Sequence, residues 1–436
     1  MRNDERDAAE ATAGVGVLEP GLTHETKLDR LAEVAVRVGL GLAPGQELVM
    51  TAPLDSLPLV RKITEQAYKA GASVVTTLFT DEEAALLRFR YASSDEIFDR
   101  VPDWLYTGIA DAYRSGAARL AISGSNPALL AGQDPKRISR SNLAVSKAMR
   151  PALDLITRHA INWTIVACAT PAWARLAFPG ETEEVAMVQL WDAIFAATRI
   201  DVPDPVANWR EHNAALQGRA RFLNEKRYSA LHFKGPGTDL TVGLADDHEW
   251  HGGGTTALNG LPCIPNLPTE EVFTTPHKDR VEGTVTSTKP LSYQGMLIED
   301  IQVRFAGGRV VEAKASKGLD ILQSMIDSDG GARQLGEVAL VPNSSPISKT
   351  GLLFWNTLFD ENAASHIALG QAYSTCIRGG DKLDGAQLAA KGANDSLIHV
   401  DWMIGSGEMN VDGITADGQA EPLMREGEWC SKPLLS

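Results

Sequence analysis

The pattern of apolar residues changes near residue 226, and this change limits the folds that the chain can adopt. Before it, short apolar segments that predict strands alternate with longer segments that predict helices. The predicted strands are 46–51, 73–79, 118–123 and 163–169, and the predicted helices are 56–70, 81–92, most of 95–115, 139–159, 182–198 and 205–224. Such alternation is typical of a parallel sheet covered on both faces. The first half is therefore predicted to be a mostly parallel α/β domain.

After residue 226, strand-like segments follow one another directly, separated by turn signals such as Gly235-Pro236-Gly237 and Gly307-Gly308. Antiparallel hairpins are predicted at 228–233, 239–243, 280–287, 301–305 and 310–315, with a last β-ribbon over 407–424. Helices are predicted at 318–328 and 360–371. We expect an α/β protein with a disordered tail over 1–22, an N-terminal domain over 23–220 and a C-terminal α+β domain with antiparallel strands over 221–436.

The net charge of the chain limits the kinds of molecule that it can bind. A formal net charge of −15 argues against nucleic acid and against an anionic membrane, and it is compatible with metal cations. The four cysteines form no CxxC pair, which favours a reducing, cytoplasmic location. The chain has no apolar stretch of about 18 residues that would predict a membrane span, and its acidic N-terminus lacks the apolar segment of a secretory signal.

Several common catalytic motifs are absent from the sequence. It contains no GxGxxG after a strand, no GxxxxGK[ST], no HExxH and no GxSxG. The cluster Gly252-Gly253-Gly254 lacks a strand-to-helix setting, so a tight loop is the better interpretation. Cys168 lies in an apolar segment typical of an inert core cysteine. Nucleophilic serine or cysteine chemistry is therefore unsupported.

Histidine and carboxylate side chains gather near the C-terminus. Glu361 and His366 lie in FDENAASHIALG, around the start of the helix predicted at 360–371, where Asn362 could cap it. His399 and Asp401 lie in SLIHVDWMIGS, and on a strand this spacing puts both side chains on one face. Imidazole and carboxylate together are the usual ligands of a catalytic divalent metal. A satisfied core histidine with a surface aspartate is the alternative that these residues leave open.

Two further carboxylate positions precede apolar strand-like segments. Glu270 and Glu271 stand in NLPTEEVFTTP, where alternation turns one of them to the side of Phe273 and the other outward. Glu337 stands in RQLGEVALVP, immediately before VALV. Each could be a metal ligand or a structural group, and its setting does not decide between them.

Five long blocks resemble one family. NLPTEEVFTTPHKDRVEGTV, STKPLSYQGMLIEDI, GARQLGEVALVPNSSPIS, LFWNTLFDENAASHIALGQAYSTC and NDSLIHVDWMIGSG resemble, in this order, the aminopeptidase T and aminopeptidase S family of metallo-aminopeptidases. The resemblance begins near residue 27 and is densest over 265–410. It implies a two-domain homodimer that uses two divalent metal ions per subunit, with zinc, cobalt, manganese or magnesium as candidates. It also implies short peptides with a free N-terminus as substrates.

The resemblance also implies which residues act. The metal ligands that it implies are Glu271, Glu337, Glu361, His366, His399 and Asp401. Tyr373 in ALGQAYSTC corresponds to an active-site tyrosine, and Glu361 is either a ligand or the general base. The resemblance leaves Glu270 as an outward neighbour or a supporting group, and it leaves His248, His251 and His277 as ordinary surface or loop histidines.

Five or six ligands are too many for one tetrahedral zinc and suit two metals that share a carboxylate, for which Glu337 is the candidate. The expected reaction is attack on the scissile peptide by a metal-bridged hydroxide, with Tyr373 donating to the developing oxyanion. Two alternatives stay open. One is a dinuclear-metal amidohydrolase such as a deacylase or dipeptidase, and the other is a non-catalytic two-domain binding protein.

Overall fold

A computed structural model describes residue 19, residues 21–293 and residues 296–430 of the 436-residue chain. The predicted tail over 1–22 lies outside the described residues except for positions 19, 21 and 22. The chain divides into two compact units, one of residues 1–125, 139–214 and 254–267, the other of residues 126–138, 215–253 and 268–436. The predicted boundary between residues 220 and 221 stays a prediction.

The first unit is built on a four-stranded parallel sheet, as the alternating pattern predicts. Its order is β2-β1-β3-β4, with strands β1 (Leu48–Pro53), β2 (Val75–Thr80), β3 (Ala118–Ser123) and β4 (Trp163–Ala167). Apolar side chains on β1 and β3, such as Leu48, Met50 and Leu120, are fully buried. The α/β class predicted for this part of the chain is confirmed.

Eight α-helices lie between residues 24 and 226 of the described chain. They are α1 (His24–Val34, continued by a π-helix over Ala35–Leu40), α2 (Leu57–Lys69), α3 (Glu82–Tyr91), α4 (Asp103–Arg114), α5 (Pro135–Thr157), α6 (Pro171–Ala177), α7 (Glu183–Ala197) and α8 (Pro205–Lys226). Helix α7 begins where the sequence places it, because the Thr182 hydroxyl accepts the Val185 N–H at 3.4 Å and caps the helix. Short 3-10 turns at Leu54–Ser56 and Asp95–Asp99 and a hairpin of β8 (Thr255–Thr256) with β9 (Pro262–Cys263) complete this part.

The second unit contains antiparallel sheets. The larger sheet has the order β15-β14-β11-β6-β5-β19-β20-β21, from β5 (Ala230–Gly235), β6 (Thr238–Leu244), β11 (Pro276–Thr286), β14 (Gln302–Ala306), β15 (Arg309–Lys314), β19 (Asn410–Ile414), β20 (Ala420–Arg425) and β21 (Glu428–Trp429). The smaller sheet has the order β18-β17-β16-β10-β7, from β7 (His251–Gly252), β10 (Val272–Thr274), β16 (Leu335–Leu340), β17 (His366–Gly370) and β18 (His399–Met403). One buried apolar core, including Phe233, Phe305 and Trp402, connects the two sheets.

The remaining elements of the second unit are short. They are the hairpin β12 (Leu291–Tyr293) with β13 (Met296–Ile298), helices α9 (Leu319–Ile326), α10 (Pro346–Thr350), α11 (Thr357–Asp360) and α12 (Gly385–Ala390), and 3-10 turns at Glu361–Ala363, Ser374–Cys376 and Gly380–Lys382. None of the described helices combines the length and the apolar character that a membrane crossing needs.

The helix predicted at 360–371 is wrong. Helix α11 ends at Asp360, and residues 366–370 form strand β17, buried at all five positions. This segment pairs with β16 on one side and β18 on the other, so sheet hydrogen bonds on both edges replace those of a helix. Asn362 therefore caps no helix. Its Oδ1 accepts the N–H of Glu270 at 2.7 Å, and its Nδ2 donates to the carbonyl of Leu358.

Candidate metal centre

Three neighbouring strands of the smaller sheet bring the predicted histidines and carboxylates onto one face. Glu337 on β16 lies opposite Ala368 on β17, and Ala368 lies opposite Asp401 on β18. Directly opposed residues of antiparallel strands share a face, as do residues two apart on one strand. His366 and His399 are two residues from Ala368 and Asp401 respectively, so they join the same row. The prediction that His399 and Asp401 lie on one face of a strand is confirmed.

A β-bulge at Gly336 sets the face on which Glu337 appears. Leu335 pairs with Leu369, yet Glu337 pairs with Ala368, which leaves Gly336 as the extra residue. Because side chains alternate, a shift of one residue would turn Glu337 to the other face. A Cβ atom at position 336 would come within 2.3 Å of the Gln371 carbonyl oxygen, so only glycine fits the bulge without a shift of the backbone.

Glu271 reaches the same face from the residue before β10. Phe273 pairs with Ala339, which itself pairs with His366, so the side of β10 that carries Phe273 also carries Glu271. Glu270 alternates to the other side, but it is buried with 3% exposure, so the expectation that it points outward is wrong. The buried Asn362 accepts the Glu270 N–H and thereby fixes the backbone next to Glu271. No signal in the sequence identified this role for Asn362.

The side chains form two groups of three that share one carboxylate. Glu271, Glu337 and His366 form one group, and Glu337, His399 and Asp401 form the other, with ligand atoms within 4.8 Å of one another in each group. His366 Nε2 lies 3.2 Å from Glu271 Oε2 and 3.5 Å from Glu337 Oε1. His399 Nε2 lies 3.5 Å from Glu337 Oε2 and 3.5 Å from Asp401 Oδ1. The two oxygens of Glu337 therefore face different histidines.

Backbone carbonyls orient both imidazole rings. His399 Nδ1 lies 2.7 Å from the Gln371 carbonyl oxygen, and His366 Nδ1 lies 3.1 Å from that of Ala364. A carbonyl can only accept, so each Nδ1 carries a proton and donates it. In the neutral rings this leaves each Nε2 as a lone pair aimed at the carboxylates. A backbone partner on the far nitrogen is the usual support of a metal-binding histidine.

The atoms that converge in this centre fit a divalent cation. Glu271 Oε2 and Asp401 Oδ1 are buried and have no hydrogen-bond partner among the described residues. Carboxylate oxygens and imidazole lone pairs only accept, so they leave one another unsatisfied unless a cation or a proton lies between them. Mixed nitrogen and oxygen donors suit zinc, cobalt and manganese. The residues present therefore fit the metal that the sequence predicts.

Protons compete for the same positions. Burial raises the pKa of Glu337 to about 7, and the charges of Asp401 and Glu271 act in the same direction. Burial acts to lower the pKa of His399, but the carboxylate of Asp401, with Oδ1 at 3.5 Å, outweighs it and raises the pKa to about 9. The His366 pKa is likewise raised well above its ordinary value, because Glu271 and Glu337 outweigh burial. Without a cation, bound protons on these side chains offset the repulsion among the carboxylates.

Tyr373 and Glu361 flank the two groups. Tyr373 follows β17, and its ring centre is 4.9 Å from that of His399. Although its surface is 43% exposed, desolvation of the phenol, followed by the charge of Glu337, raises the Tyr373 pKa well above its ordinary value. Glu361 belongs to neither group of three. Burial and the charges of Glu271 and Asp401 raise the Glu361 pKa well above its ordinary value.

The three histidines that the resemblance leaves as ordinary, His248, His251 and His277, lie outside both groups. His248 lies in the loop between β6 and β7, where it is buried with 5% exposure. Its Nδ1 lies 3.0 Å from the Ala245 carbonyl oxygen. His251 and His277 are half-buried on β7 and β11, where His251 Nε2 lies 2.9 Å from the Thr375 carbonyl oxygen.

Two groups of imidazole and carboxylate ligands that share one carboxylate are typical of the metal centres of hydrolases. The model of the thermophilic metalloprotease (M29) family matches residues 24–429, and the chain belongs to that family. Aminopeptidase T from Thermus aquaticus is 53% identical to this chain over 402 residues, covering 92% of this chain and 98% of the relative. Aminopeptidase 2 from Geobacillus stearothermophilus is 46% identical over 405 residues, covering 93% and 98%. A solved structure described as wild-type AmpT from Thermus thermophilus superposes with a TM-score of 0.89 at 52% identity, covering 94% of this chain and 100% of that one.

Proposed function

We propose that this metal-dependent aminopeptidase removes N-terminal residues from short peptides with two divalent cations per subunit. Glu271, Glu337 and His366 would hold one cation, and Glu337, His399 and Asp401 would hold the other. One observation carries the proposal: the two oxygens of Glu337 face two different histidines, each at 3.5 Å. A single cation would not use both oxygens in this way, whereas a bridging carboxylate does.

When bound, the divalent cations supply a polarised peptide carbonyl and a water of lowered pKa. The chain itself supplies orientation. His366 and His399 are held by the Ala364 and Gln371 carbonyls, and Glu337 is held by the bulge at Gly336. Ligands fixed in this way do not have to reorganise during the reaction.

Tyr373 is proposed to stabilise the oxyanion. Its raised pKa keeps the phenol protonated, so the hydroxyl donates a hydrogen bond to the oxygen that gains negative charge. Its ring contacts His399, which places the residue at the edge of the centre rather than among the ligands.

Glu361 is proposed to move the proton. Its absence from both groups of three favours the role of general base over that of ligand, although both roles remain within the proposal. Because its pKa is raised well above its ordinary value by burial, this carboxylate is a stronger base than an exposed one; it would accept a proton from the attacking water and then donate it to the leaving amine.

Selectivity for a free N-terminus is proposed to come from the amine itself. The amine would bind one of the cations or one of the nearby carboxylates, and an acetylated nitrogen would bind neither. We further propose a cytoplasmic homodimer with an N-terminal domain over 23–220 and a C-terminal catalytic domain over 221–436. Four cysteines without disulfides among the described residues support the reducing location, and the family resemblance supports the dimer.

Chelation tests the proposal. Treatment with EDTA should abolish the cleavage of aminoacyl-p-nitroanilides, and adding back zinc, cobalt, manganese or magnesium one at a time should restore it, with elemental analysis giving two ions per chain. The matched N-acetylated substrates should stay intact. Cleavage that survives chelation would contradict the metal-dependent mechanism, and release of acetate from the N-acetylated substrates would identify a deacylase instead.

A further inference from the structure

A cavity lies beside the candidate metal centre, within the second unit. Its volume is about 340 Å³ including its open mouth, and its wall includes the carboxylates Glu361 and Asp401. The wall also includes the apolar side chains of Leu291, Trp355 and Met403. Asp401 and Met403 lie two residues apart on β18, so acidic and apolar side chains stand next to each other in this cavity.

Trp355 is held in an unusual backbone conformation at this wall. Its φ angle is 58°, in the left-handed region that bulky residues rarely occupy. Asp360 holds the loop: its Oδ1 accepts the N–H of Phe354 at 2.7 Å and its Oδ2 accepts the N–H of Asn356 at 2.9 Å. Strain of this kind persists where the surroundings enforce it, and it concentrates at ligand sites.

The residues on either side of Trp355 hold its backbone in this conformation. Phe354 stacks on Phe359 with ring centres 4.8 Å apart, and both rings are fully buried. The Asn356 side chain accepts the N–H of Leu358 at 3.2 Å and caps α11. Trp355 thus stands between two anchored neighbours, so its position at the cavity is fixed before any ligand arrives.

The chemistry of the wall selects the occupant. Both oxygens of Asp360 are used by backbone N–H groups, which makes this carboxylate a poor partner for a basic side chain. Of the other two carboxylates in the wall, Asp401 is a proposed metal ligand, and Glu361 belongs to neither group of three. A peptide N-terminus carries an amine and a side chain on the same carbon atom, which matches a wall with acidic and apolar side chains next to each other.

We propose that this cavity holds the side chain of the substrate's N-terminal residue, and that Trp355 confers a preference for uncharged side chains of the size of leucine. Asp360 is a positioning residue, since it acts on the substrate only through Trp355. The inference rests on the aminopeptidase function proposed above and names the part of the substrate that this cavity recognises.

The test compares substrates that differ only in the N-terminal residue. The kcat/KM values for leucyl- and alanyl-p-nitroanilide are measured with the metal-loaded protein and with Trp355→Ala. Losing a wall of the pocket should lower kcat/KM for the leucyl substrate about ten- to hundredfold more than for the alanyl substrate, as hydrophobic pockets typically discriminate. Trp355→Phe should restore most of the difference. Trp104→Ala, at a tryptophan with 76% exposure on α4, is the matched control and should leave the ratio unchanged.

A filling variant covers the case in which Trp355→Ala does not fold. Ser292 also lines the cavity, on β12, and Ser292→Leu reduces its volume. This variant should lose leucyl cleavage selectively and keep alanyl cleavage. Equal losses for both substrates in a folded protein with unchanged metal content, or no loss for either, would overturn the proposal.

A binding experiment separates this proposal from the proposed function. In calorimetric titration with the reaction products, the parent protein should bind L-leucine more tightly than glycine, and Trp355→Ala should remove the difference. If the parent cleaves no aminoacyl substrate, the aminopeptidase function fails. The side-chain pocket then still stands if leucine is preferred through Trp355, and it is overturned if leucine and glycine bind alike.

Discussion

The substitution Glu337→Gln separates two effects of the shared carboxylate. With metal the carboxylate binds cations, and without metal its buried charge lowers the stability of the fold. Glutamine keeps the shape of the side chain but replaces one oxygen with an NH2 group, which donates and cannot bind a cation. Since each oxygen of Glu337 faces one histidine at 3.5 Å, one of the two groups of three loses a ligand. We expect the variant to hold at most one ion per chain and to lose activity.

The metal-free protein should respond in the opposite direction. Burial raises the pKa of Glu337 from 4.5 to about 7. Since a pKa difference of one corresponds to about 1.4 kcal/mol, keeping this carboxylate ionised in the folded protein costs about 3 kcal/mol. Below pH 4.5 both folded and unfolded states are protonated and there is no cost. Between pH 4.5 and 7 the unfolded chain releases its proton first, so stability falls, and above pH 7 the cost is complete.

Glutamine carries no such cost at any pH. In EDTA at pH 8, Glu337→Gln should therefore unfold with a free energy about 3 kcal/mol higher than that of the parent, and the gap should narrow at pH 5.5. With metal the gap should also narrow, because the parent gains about 2.7 kcal/mol at a metal concentration of 100 times Kd and the variant gains less. Urea unfolding of both proteins, with and without EDTA and at both pH values, measures the free energies of unfolding in all four conditions.

Glu408→Gln is the matched control, because Glu408 is exposed and lies outside the centre. It should change neither metal content nor the pH dependence. A Glu337→Gln protein that binds two ions and turns over normally would refute the bridging role. A metal-free variant that is less stable than the parent at pH 8 would refute the electrostatic reasoning, even if activity is lost.

Two further substitutions test the parts around this carboxylate. Tyr373→Phe should lower kcat about 10²–10³-fold, the usual effect of removing one oxyanion donor, with metal content intact by elemental analysis; an unaltered kcat would remove Tyr373 from the mechanism. Gly336→Ala should lower the thermal midpoint and the metal content together, because the added Cβ would approach the Gln371 carbonyl oxygen to 2.3 Å and the bulge must shift. A Gly336→Ala protein that unfolds at a lower temperature yet holds its metal would show that the bulge supports the fold alone.

Local patterns predicted the parts of the fold and of the site that depend on neighbouring residues. The four parallel strands follow from short apolar segments bounded by helices, and their positions agree closely with the sequence, β3 at both ends. The common face of His399 and Asp401 follows from alternation alone. Alternation also puts Glu271, and not Glu270, on the side of Phe273.

Tertiary pairing decided the segment that sequence reasoning misread. Residues 366–370 read HIALG, and alanine and leucine favour a helix when no other contacts are considered. In the structure the segment is the strand between β16 and β18, where burial on both faces selects an extended backbone. The outward placement of Glu270 failed for a related reason, because exposure depends on what covers the second face of a sheet.

The row Glu337–Ala368–Asp401 shows why convergence of the ligands could not be read from spacing. Strands β16 and β18 do not pair with each other, because β17 lies between them. Their two carboxylates therefore approach each other across the residue of β17 that lies opposite both of them. That residue is Ala368, whose single methyl group leaves space above β17. A longer side chain there would fill the volume in which the ligand atoms meet, whatever the identity of the ligands. Position 368 is thus constrained by the centre although alanine binds nothing, and a residue that contributes only space carries no chemical signal in a sequence.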